Sequence, residues 1–427
     1  MTINNYLQET KKTLTPLLAM EEAARCLLCH DAPCSKACPA GTDPAKFIRS
    51  IRFRNIKGAV ETIRTNNALG AVCARVCPYD NYCEGACSRC GIDKPIRIGE
   101  LQRFATDFEK TVGMKIYDKI EATKEMVAII GSGPSGLAAA NELSLKGYKV
   151  TVYEEKAKLG GWLTYGIPAN RLPQDVIESE IEYIKELGVE FKTNCKVGRD
   201  VSIEGLRKEG FKAFLVACGM QKGKDVEITG ADLDGSVNGV DFLAEAKTNM
   251  GDVKVGKKVV VIGGGDVAMD CATTAKLIGC EDVKIVYRRT IEKMPASTEE
   301  KKHINELNIP IFTGLKPVEI VGKEGKVVAF KAEGMFDASK IELEADMVIF
   351  AVGQEAEDVK AIASVELMDI KTETADVFAS GDIVEKDKTV VQAVASGKLA
   401  AGEIEKYLTA ARESMETSRQ SASTKEV

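Results

Sequence analysis

Histidine is nearly missing from this chain: His30 and His303 are the only two in 427 residues. Acid–base chemistry built on imidazole has almost nothing to draw on. No apolar run approaches the roughly 18 residues of a membrane-spanning helix, and Met1 to Lys12 is polar, without the apolar core of a signal peptide. A cytoplasmic location is expected. A basic excess is lacking too. Against 58 Lys and Arg stand 64 Asp and Glu, a net charge of −6 that suits a nucleic-acid binder poorly. The remaining composition, 44% hydrophobic and 29% charged, is that of a globular protein. At roughly 100 to 200 residues per domain, the length predicts two to four domains.

Cysteine, by contrast, is plentiful and unevenly placed. Nine of the thirteen fall between Cys26 and Cys90. An odd number, clustered in a chain without an export signal, argues against a disulfide framework and for metal or cluster ligation. Residues 1–110 carry a net charge of +4 and the remainder −10. A basic shell suits anionic metal–thiolate clusters. The spacing Cys26-x2-Cys29-x4-Cys34-x3-Cys38-Pro39 has the shape of an iron–sulfur run, whose last Cys, followed by Pro, commonly serves a second cluster. A further set follows at Cys73, Cys77, Cys83 and Cys87, with Cys90 close by. C-x2-C pairs also build structural zinc sites, so zinc is the competing reading.

The Cys-rich segment reads as short helices over Ala19 to Leu28, Pro44 to Arg54, Lys57 to Thr65 and Ile98 to Thr111. From Glu125 the texture changes. A β-branched run, Met126 to Ile130, leads into Gly131-Ser132-Gly133-Pro134-Ser135-Gly136, a helix to Lys146, and a second strand, Lys149 to Tyr153, followed by Glu154. The glycines let a pyrophosphate approach backbone N–H groups at a helix N-terminus, and the acid accepts from ribose hydroxyls. The order recurs at Lys258 to Ile262, Gly263-Gly264-Gly265-Asp266-Val267-Ala268, a helix to Ile278, and Val283 to Tyr287. There the second strand ends in Arg288-Arg289 instead of an acid, which favours NADPH over NADH because Arg pairs with a 2′-phosphate. Two βαβ units indicate two dinucleotide-binding domains. Ala217-Cys218-Gly219 and Ala351-Val352-Gly353 mark where the chain crosses between them, and Val318 to Leu343 reads as antiparallel hairpins. The Ser-, Thr-, Lys- and Glu-rich stretch 412–427 is expected to be disordered.

A third segment, Val377 to Asp382 before a helix starting near Thr389, completes an arrangement that resembles the flavoproteins with two dinucleotide-binding domains, in which the NAD(P) domain is inserted within the FAD domain. The resemblance implies FAD contacts at Gly131, Ser132, Gly133, Pro134, Ser135, Glu154, Gly161, Arg171, Gly381, Asp382, Thr389 and Val390. It implies NAD(P) contacts at Gly264, Gly265, Asp266, Val267, Arg288, Arg289, Ala351, Val352 and Gly353. Many relatives pass electrons to a Cys-x-x-Cys disulfide, but Cys195, Cys218, Cys271 and Cys280 lack that spacing, and inert buried thiols are expected. The electron outlet is therefore expected in the N-terminal segment.

That segment, with Arg25 to Cys34 and Asn67 to Pro78, resembles the flavin-carrying subunit of bacterial dihydropyrimidine dehydrogenase and the N-terminal half of the single-chain animal enzyme. The likeness extends from about residue 5 to 410. It implies one [4Fe-4S] cluster on Cys26, Cys29, Cys34 and Cys87, and another on Cys38, Cys77, Cys83 and Gln102, leaving Cys73 and Cys90 unligated. Gln102 separates this family from two similar ones, the glutamate synthase small subunits and the ferredoxin:NADP reductase subunits. The family is generally NADH-dependent, a departure from the reading of Arg288 and Arg289. The implied function is electron input from NAD(P)H through FAD and two clusters to a separate subunit bearing FMN and iron–sulfur clusters, where uracil and thymine are reduced. The alternatives are a subunit of a glutamate synthase-like or ferredoxin:NADP oxidoreductase complex, or a scaffold with degenerate sites. Neither nucleic acid nor membrane is an expected partner. The expected organisation is a helical iron–sulfur domain (1–120), an α/β FAD domain in two parts (121–237 and 355–411), an inserted Rossmann-like NAD(P) domain (238–354) and the tail.

Overall fold

A computed structural model describes residues 5–224, 226–356, 362 and 369–423. Parts of the expected second FAD segment, 357–361 and 363–368, and the last four residues of the expected tail lie outside the described residues. Helices α1 (Pro16–Ala24), α2 (Pro33–Lys36), α3 (Pro44–Arg52), α4 (Ile56–Asn66), α5 (Gly70–Val76) and α6 (Ile98–Val112) come first. Then follow β1 (Met126–Ile130), α7 (Pro134–Leu145), β2 (Lys149–Tyr153), α8 (Trp162–Tyr165), α9 (Gln174–Glu186), β3 (Glu190–Lys192), α10 (Ile203–Glu209) and β4 (Phe211–Val216). Next are β5 (Lys222–Gly223), β6 (Ser236–Asn238), α11 (Gly239–Thr248), β7 (Lys258–Ile262), α12 (Asp266–Leu277), β8 (Asp282–Tyr287), α13 (Thr298–Glu306) and β9 (Ile311–Thr313). The chain continues through β10 (Leu315–Lys323), β11 (Lys326–Gly334), β12 (Lys340–Glu344), β13 (Met347–Phe350), β14 (Gln354–Glu355), β15 (Val377–Ala379) and α14 (Val390–Ser423).

Two compact units emerge. The first comprises Met1–Lys12, Trp162–Gln174 and Met220–Glu357. Its parallel sheet runs β6-β13-β7-β8-β9, with the β10-β11-β12 antiparallel sheet carried between β9 and β13. The inner strands are continuous β-branched runs, as a sheet covered on both faces requires. One face buries Val259, Val261 and Ile285 against α12, and the other buries Val260, Ile262 and Val348 with Phe330 of β11. The unit starts at Met220, not at the expected residue 238, because Val226, Ile228 and Leu233 pack on this second face. Trp162 also packs within this unit, against the α12 side.

The second unit comprises Thr13–Gly161, Asp175–Gly219 and Asp358–Val427. Its parallel sheet runs β15-β4-β1-β2-β3, with Met126 opposite Lys149 and Ile130 opposite Tyr153. The helices of the Cys-rich segment share a core of Phe47, Ile48, Ile51, Ile63, Leu101 and Phe104. They start where capping chemistry allows. Pro16 follows Thr15, whose side chain accepts from the Leu18 N–H, and Asp43 and Asn55 cap α3 and α4 in the same way. Arg64 of α4, buried to 5% side-chain exposure, donates to both Glu109 oxygens (2.8 Å to each) and to Glu180 Oε1 (2.7 Å). This ion triad ties α4, α6 and α9.

Helix α14 continues to Ser423, well beyond residue 412, where the sequence predicted loss of regular structure. Arg412 explains part of the extension: it donates to Glu125 Oε2 and lies 5.9 Å from the Tyr148 ring. Between Ala410 and Met415 the sequence is also rich in Ala, Arg, Glu and Met, good helix formers, which outweigh its lack of apolar periodicity.

Candidate functional site

The first glycine-rich turn is shaped by contacts that leave one face open. Gly131, at φ 106°, follows β1, and a Cβ there would stand 2.5 Å from Ala217 O. A Cβ on Gly136 would stand 2.1 Å from Gly131 O, so this glycine is required for the helix to leave the strand. Gly133, the N-cap of α7, differs: a Cβ there meets nothing within 4 Å. The first and last glycines thus serve the turn itself, and the middle one borders free space at a helix N-terminus, where a pyrophosphate fits. Gly161 closes over the turn, with its Cβ position 2.8 Å from Gly133 Cα. Pro134 begins α7.

Glu154, only 6% exposed, accepts from Ser132 N (3.0 Å) and Ser132 Oγ (2.6 Å) through Oε2, and from Lys156 N (2.9 Å) through Oε1. Ser135 Oγ donates to Ser380 Oγ at 2.6 Å, and Gly381 N donates to Ser396 Oγ at 3.0 Å. These contacts bring the Gly381-Asp382 turn and the start of α14 to the same cradle. Thr389 Oγ1 caps that helix by accepting from Gln392 N, beside Val390 at its first turn. Burial raises the Asp382 carboxyl above its usual range, with Lys388 opposing, and among the described residues no hydrogen bond reaches its side chain. An unpartnered, mostly buried acceptor suits a ligand's hydroxyls.

The first unit repeats the pattern. Gly263, Gly264 and Gly265 lead into α12, whose first turn holds Asp266 and Val267. A Cβ on Gly264 would stand 2.4 Å from the Tyr287 ring, whereas one on Gly265 would meet only Pro295, at 4.0 Å. Asp266 Oδ1 accepts from Ser297 N at 2.8 Å, and Ala296 N donates to Gly264 O at 3.1 Å. Arg288 and Arg289 are exposed at the end of β8, and among the described residues neither has a carboxylate partner. Ala351, Val352 and Gly353 follow β13, with Ala351 N donating to Ile262 O.

Arg171 is also in this first unit. Its guanidinium pairs with Asp270 (2.6 Å) and Glu300 (3.0 Å). Burial raises the Asp270 carboxyl, with Arg171 opposing. Beside them Lys247 donates to Ile167 O and Leu172 O, and burial pushes its pKa down to about 7. Sequence reasoning missed Asp270, Glu300 and Lys247. Only Asp270 left a signal, one helical turn beyond Asp266 on the same face.

In the Cys-rich part, Cys26, Cys29, Cys34 and Cys87 line one pocket, walled also by Leu27 and Ile48. Among the described residues no three His, Cys, Asp or Glu converge as the ligands of a single ion would. The four thiols share this one lining, as the corner ligands of a larger group would. Burial pushes the Cys34 thiol up to about 11, and neighbouring Cys87 and Cys26 add to it. Nearby, Arg52 donates to Cys26 O (3.1 Å) and Arg89 to Arg25 O (3.0 Å), so the pocket has a cationic rim. A bound iron–sulfur group would supply the charge that turns such buried thiols into thiolates.

Cys38, Cys77 and Cys83 form the second group, and burial raises Cys77 and Cys83 strongly. Gln102 is 8% exposed, and its Nε2 donates to Gly70 O at 2.8 Å. A carbonyl can only accept, so this bond fixes the amide orientation and leaves Oε1 with no hydrogen bond among the described residues. A held amide with a free oxygen fits a ligand. Cys73, one turn before Cys77 on α5, is buried, and burial raises its thiol. Cys90 is exposed. Cys271 and Cys280 are buried and Cys195 and Cys218 partly buried.

Comparison with known proteins agrees with this geometry. Residues 2–114 match the family model of dihydropyrimidine dehydrogenase domain II, 4Fe-4S cluster, and residues 125–397 that of the pyridine nucleotide-disulphide oxidoreductases. Among solved structures, thioredoxin reductase of T. acidophilum superimposes with a TM-score of 0.55 at 18% identity, covering 67% of this chain and 99% of that one. FprA of Mycobacterium tuberculosis in complex with NADPH gives 0.57 at 19%, covering 69% and 86%. The fold and site therefore define a flavoprotein oxidoreductase that uses a pyridine nucleotide and carries a 4Fe-4S domain.

The chain is 48% identical over 418 residues to the NAD-dependent dihydropyrimidine dehydrogenase subunit PreT of Escherichia coli O157:H7, covering 95% of this chain and 98% of that protein. It belongs to that family. It is 33% identical over 435 residues to the glutamate synthase [NADPH] small chain of Azospirillum brasilense, covering 92% and 90%. Among the described residues no helix is long and apolar enough to cross a membrane.

Proposed function

We propose that this chain is the electron-input subunit of a dihydropyrimidine dehydrogenase. It takes electrons from NAD(P)H and delivers them through FAD and two [4Fe-4S] clusters to an FMN-bearing, iron–sulfur partner that interconverts uracil or thymine and their 5,6-dihydro forms. The single observation that carries the reading is Gln102, held by Gly70 O with its oxygen free, in a chain 48% identical to PreT over 95% of its length. When bound, flavin and nicotinamide supply hydride exchange and the clusters one-electron relay. The chain's residues bind and orient.

Gly133 and the N-terminus of α7 accommodate the FAD pyrophosphate, Glu154 and Asp382 accept from hydroxyls, and Gly161, Thr389 and Val390 close the cradle. Gly265 and α12 do the same for the nicotinamide nucleotide. Arg288 and Arg289, two exposed cations without carboxylate partners among the described residues, fit a 2′-phosphate, so NADPH is the favoured donor although the relatives are named NAD-dependent. No side chain is assigned as a general acid or base. Cys26, Cys29, Cys34 and Cys87 hold cluster one, and Cys38, Cys77, Cys83 and Gln102 hold cluster two.

The test is purification of the native complex and assay with uracil and thymine against glutamine plus 2-oxoglutarate. Pyrimidine turnover with an FMN-bearing partner is expected. Turnover of the second pair alone would transfer the chain to the glutamate synthase side of its family.

A further inference from the structure

One cation in the second unit stands apart from its neighbours. Lys398 lies eight residues beyond the start of α14, roughly 12 Å along the helix at 1.5 Å per residue. Its Nζ, partly buried, donates to Ala40 O at 2.7 Å and Asn66 O at 2.5 Å. Ala40 O belongs to the turn after Cys38, and Asn66 O to the C-terminal end of α4. Ala40 is two residues past Cys38, whose Sγ accepts from Thr42 N at 3.4 Å. Asn66 precedes Asn67, whose side chain donates to Thr42 Oγ1.

Among the described residues no carboxylate pairs with Lys398. Glu142 on α7 faces it without an ion pair, and nearby Lys146 and Glu405 pair with each other. Desolvation works against the charged ammonium, and Glu142 and Cys38 work for it. A half-buried ammonium that makes no close ion pair among the described residues projects its field farther than a surface ion pair does, since the protein interior screens weakly.

We propose that Lys398 is a positioning residue for electron transfer. Its charge, set against the Cys38 side of cluster two, favours that cluster's reduced and more negative state, while its hydrogen bonds tie the helix that begins at the flavin cradle to the turn after Cys38 and the end of α4. The inference rests on the two-cluster reading above and adds a determinant of potential to it. A structural tie alone would affect stability and leave potentials in place.

The experiment is a potentiometric titration of the holoenzyme at pH 8, followed by electron paramagnetic resonance, after iron and sulfide have been counted. In Lys398→Met one of the two cluster waves is expected to move negative by about 59 mV, a tenfold change in a one-electron equilibrium, and the other to stay. Lys398→Arg should remain near wild type. Glu142→Gln, which removes the facing carboxylate, should shift the same wave positive, and it decides the matter if Lys398→Met does not fold. Two unmoved waves in folded Lys398→Met, waves moving together, an Arg variant shifted as far as Met, or no positive shift in Glu142→Gln would each overturn the proposal. About four iron and four sulfide instead of eight of each would sink the two-cluster reading and this inference with it. Eight of each with unmoved waves would sink the inference alone.

Discussion

Gly133→Ala separates binding from folding at the flavin cradle. Its backbone, at φ −69° and ψ 179°, is ordinary for any L-residue, and the added methyl meets nothing within 4 Å. Two small effects on the protein oppose each other. Ala is a poorer N-cap than Gly, and the substitution narrows the unfolded ensemble by about 0.4–1 kcal/mol, so apo stability should change by less than about 1 kcal/mol. The ligand side is different, because a methyl occupies the space through which a pyrophosphate would approach the N–H groups of α7. A charge-assisted hydrogen bond is worth about 1.5–3 kcal/mol, so losing one weakens FAD binding by roughly ten- to 150-fold. Apoprotein titrated with FAD, followed by flavin fluorescence, and the Tm of the flavin-free form read the two effects separately. Gly136→Ala is the control expected to unfold, since its Cβ would stand 2.1 Å from Gly131 O. Wild-type FAD affinity in Gly133→Ala, or an apo form that no longer folds, would refute the reasoning.

Replacing Arg288 and Arg289 together by Gln should raise KM for NADPH by tenfold or more, about 1.4 kcal/mol, and leave that for NADH nearly unchanged; weak, equal effects on both would return the pair to ordinary surface charge. Cys83→Ala should remove one cluster, seen as loss of about half the iron, while FAD stays bound and is still reduced by NAD(P)H. A folded Cys83 variant whose flavin is no longer reduced would contradict the separation of the two sites. Arg64→Ala leaves Glu109 and Glu180 buried without their shared cation and should cost about 3–5 kcal/mol in denaturant unfolding; a loss below 1 kcal/mol would show the triad to be well solvated.

Much of this architecture was legible because it is written in local pattern. The strands Met126–Ile130 and Lys258–Ile262 fall where β-branched runs end at glycine-rich turns, and Lys149–Tyr153 where one ends at Glu154, whereas the first helix starts at Pro16, three residues before the expected Ala19, because Thr15 caps it. Gln102 was found through a family likeness, and only the structure shows why its oxygen is free. Long-range ties were illegible. Nothing near Arg64 in sequence points to Glu180, 116 residues away, and nothing near Lys398 points to Ala40. The unit boundary at Met220 was missed because Val226, Ile228 and Leu233 carry no strand periodicity until the sheet they cover is in place. The continuation of α14 was missed because periodicity measures packing, whereas helix formers can prolong a helix that is already nucleated.

The order of strands in the flavin sheet bears on how the chain is made. All three segments of the nicotinamide unit precede residue 358, so that unit is covalently complete on the ribosome while the flavin sheet still lacks its edge strand, Val377–Ala379. The contact between Ser135 and Ser380 joins residues 245 apart and awaits synthesis of residue 380. Loops of that span close late in folding. A polypeptide released before Val377 would therefore hold both glycine-rich turns yet lack the Gly381-Asp382 turn and the helix beside it. Flavin acquisition would then report that synthesis has passed the Gly381-Asp382 turn and the helix beside it.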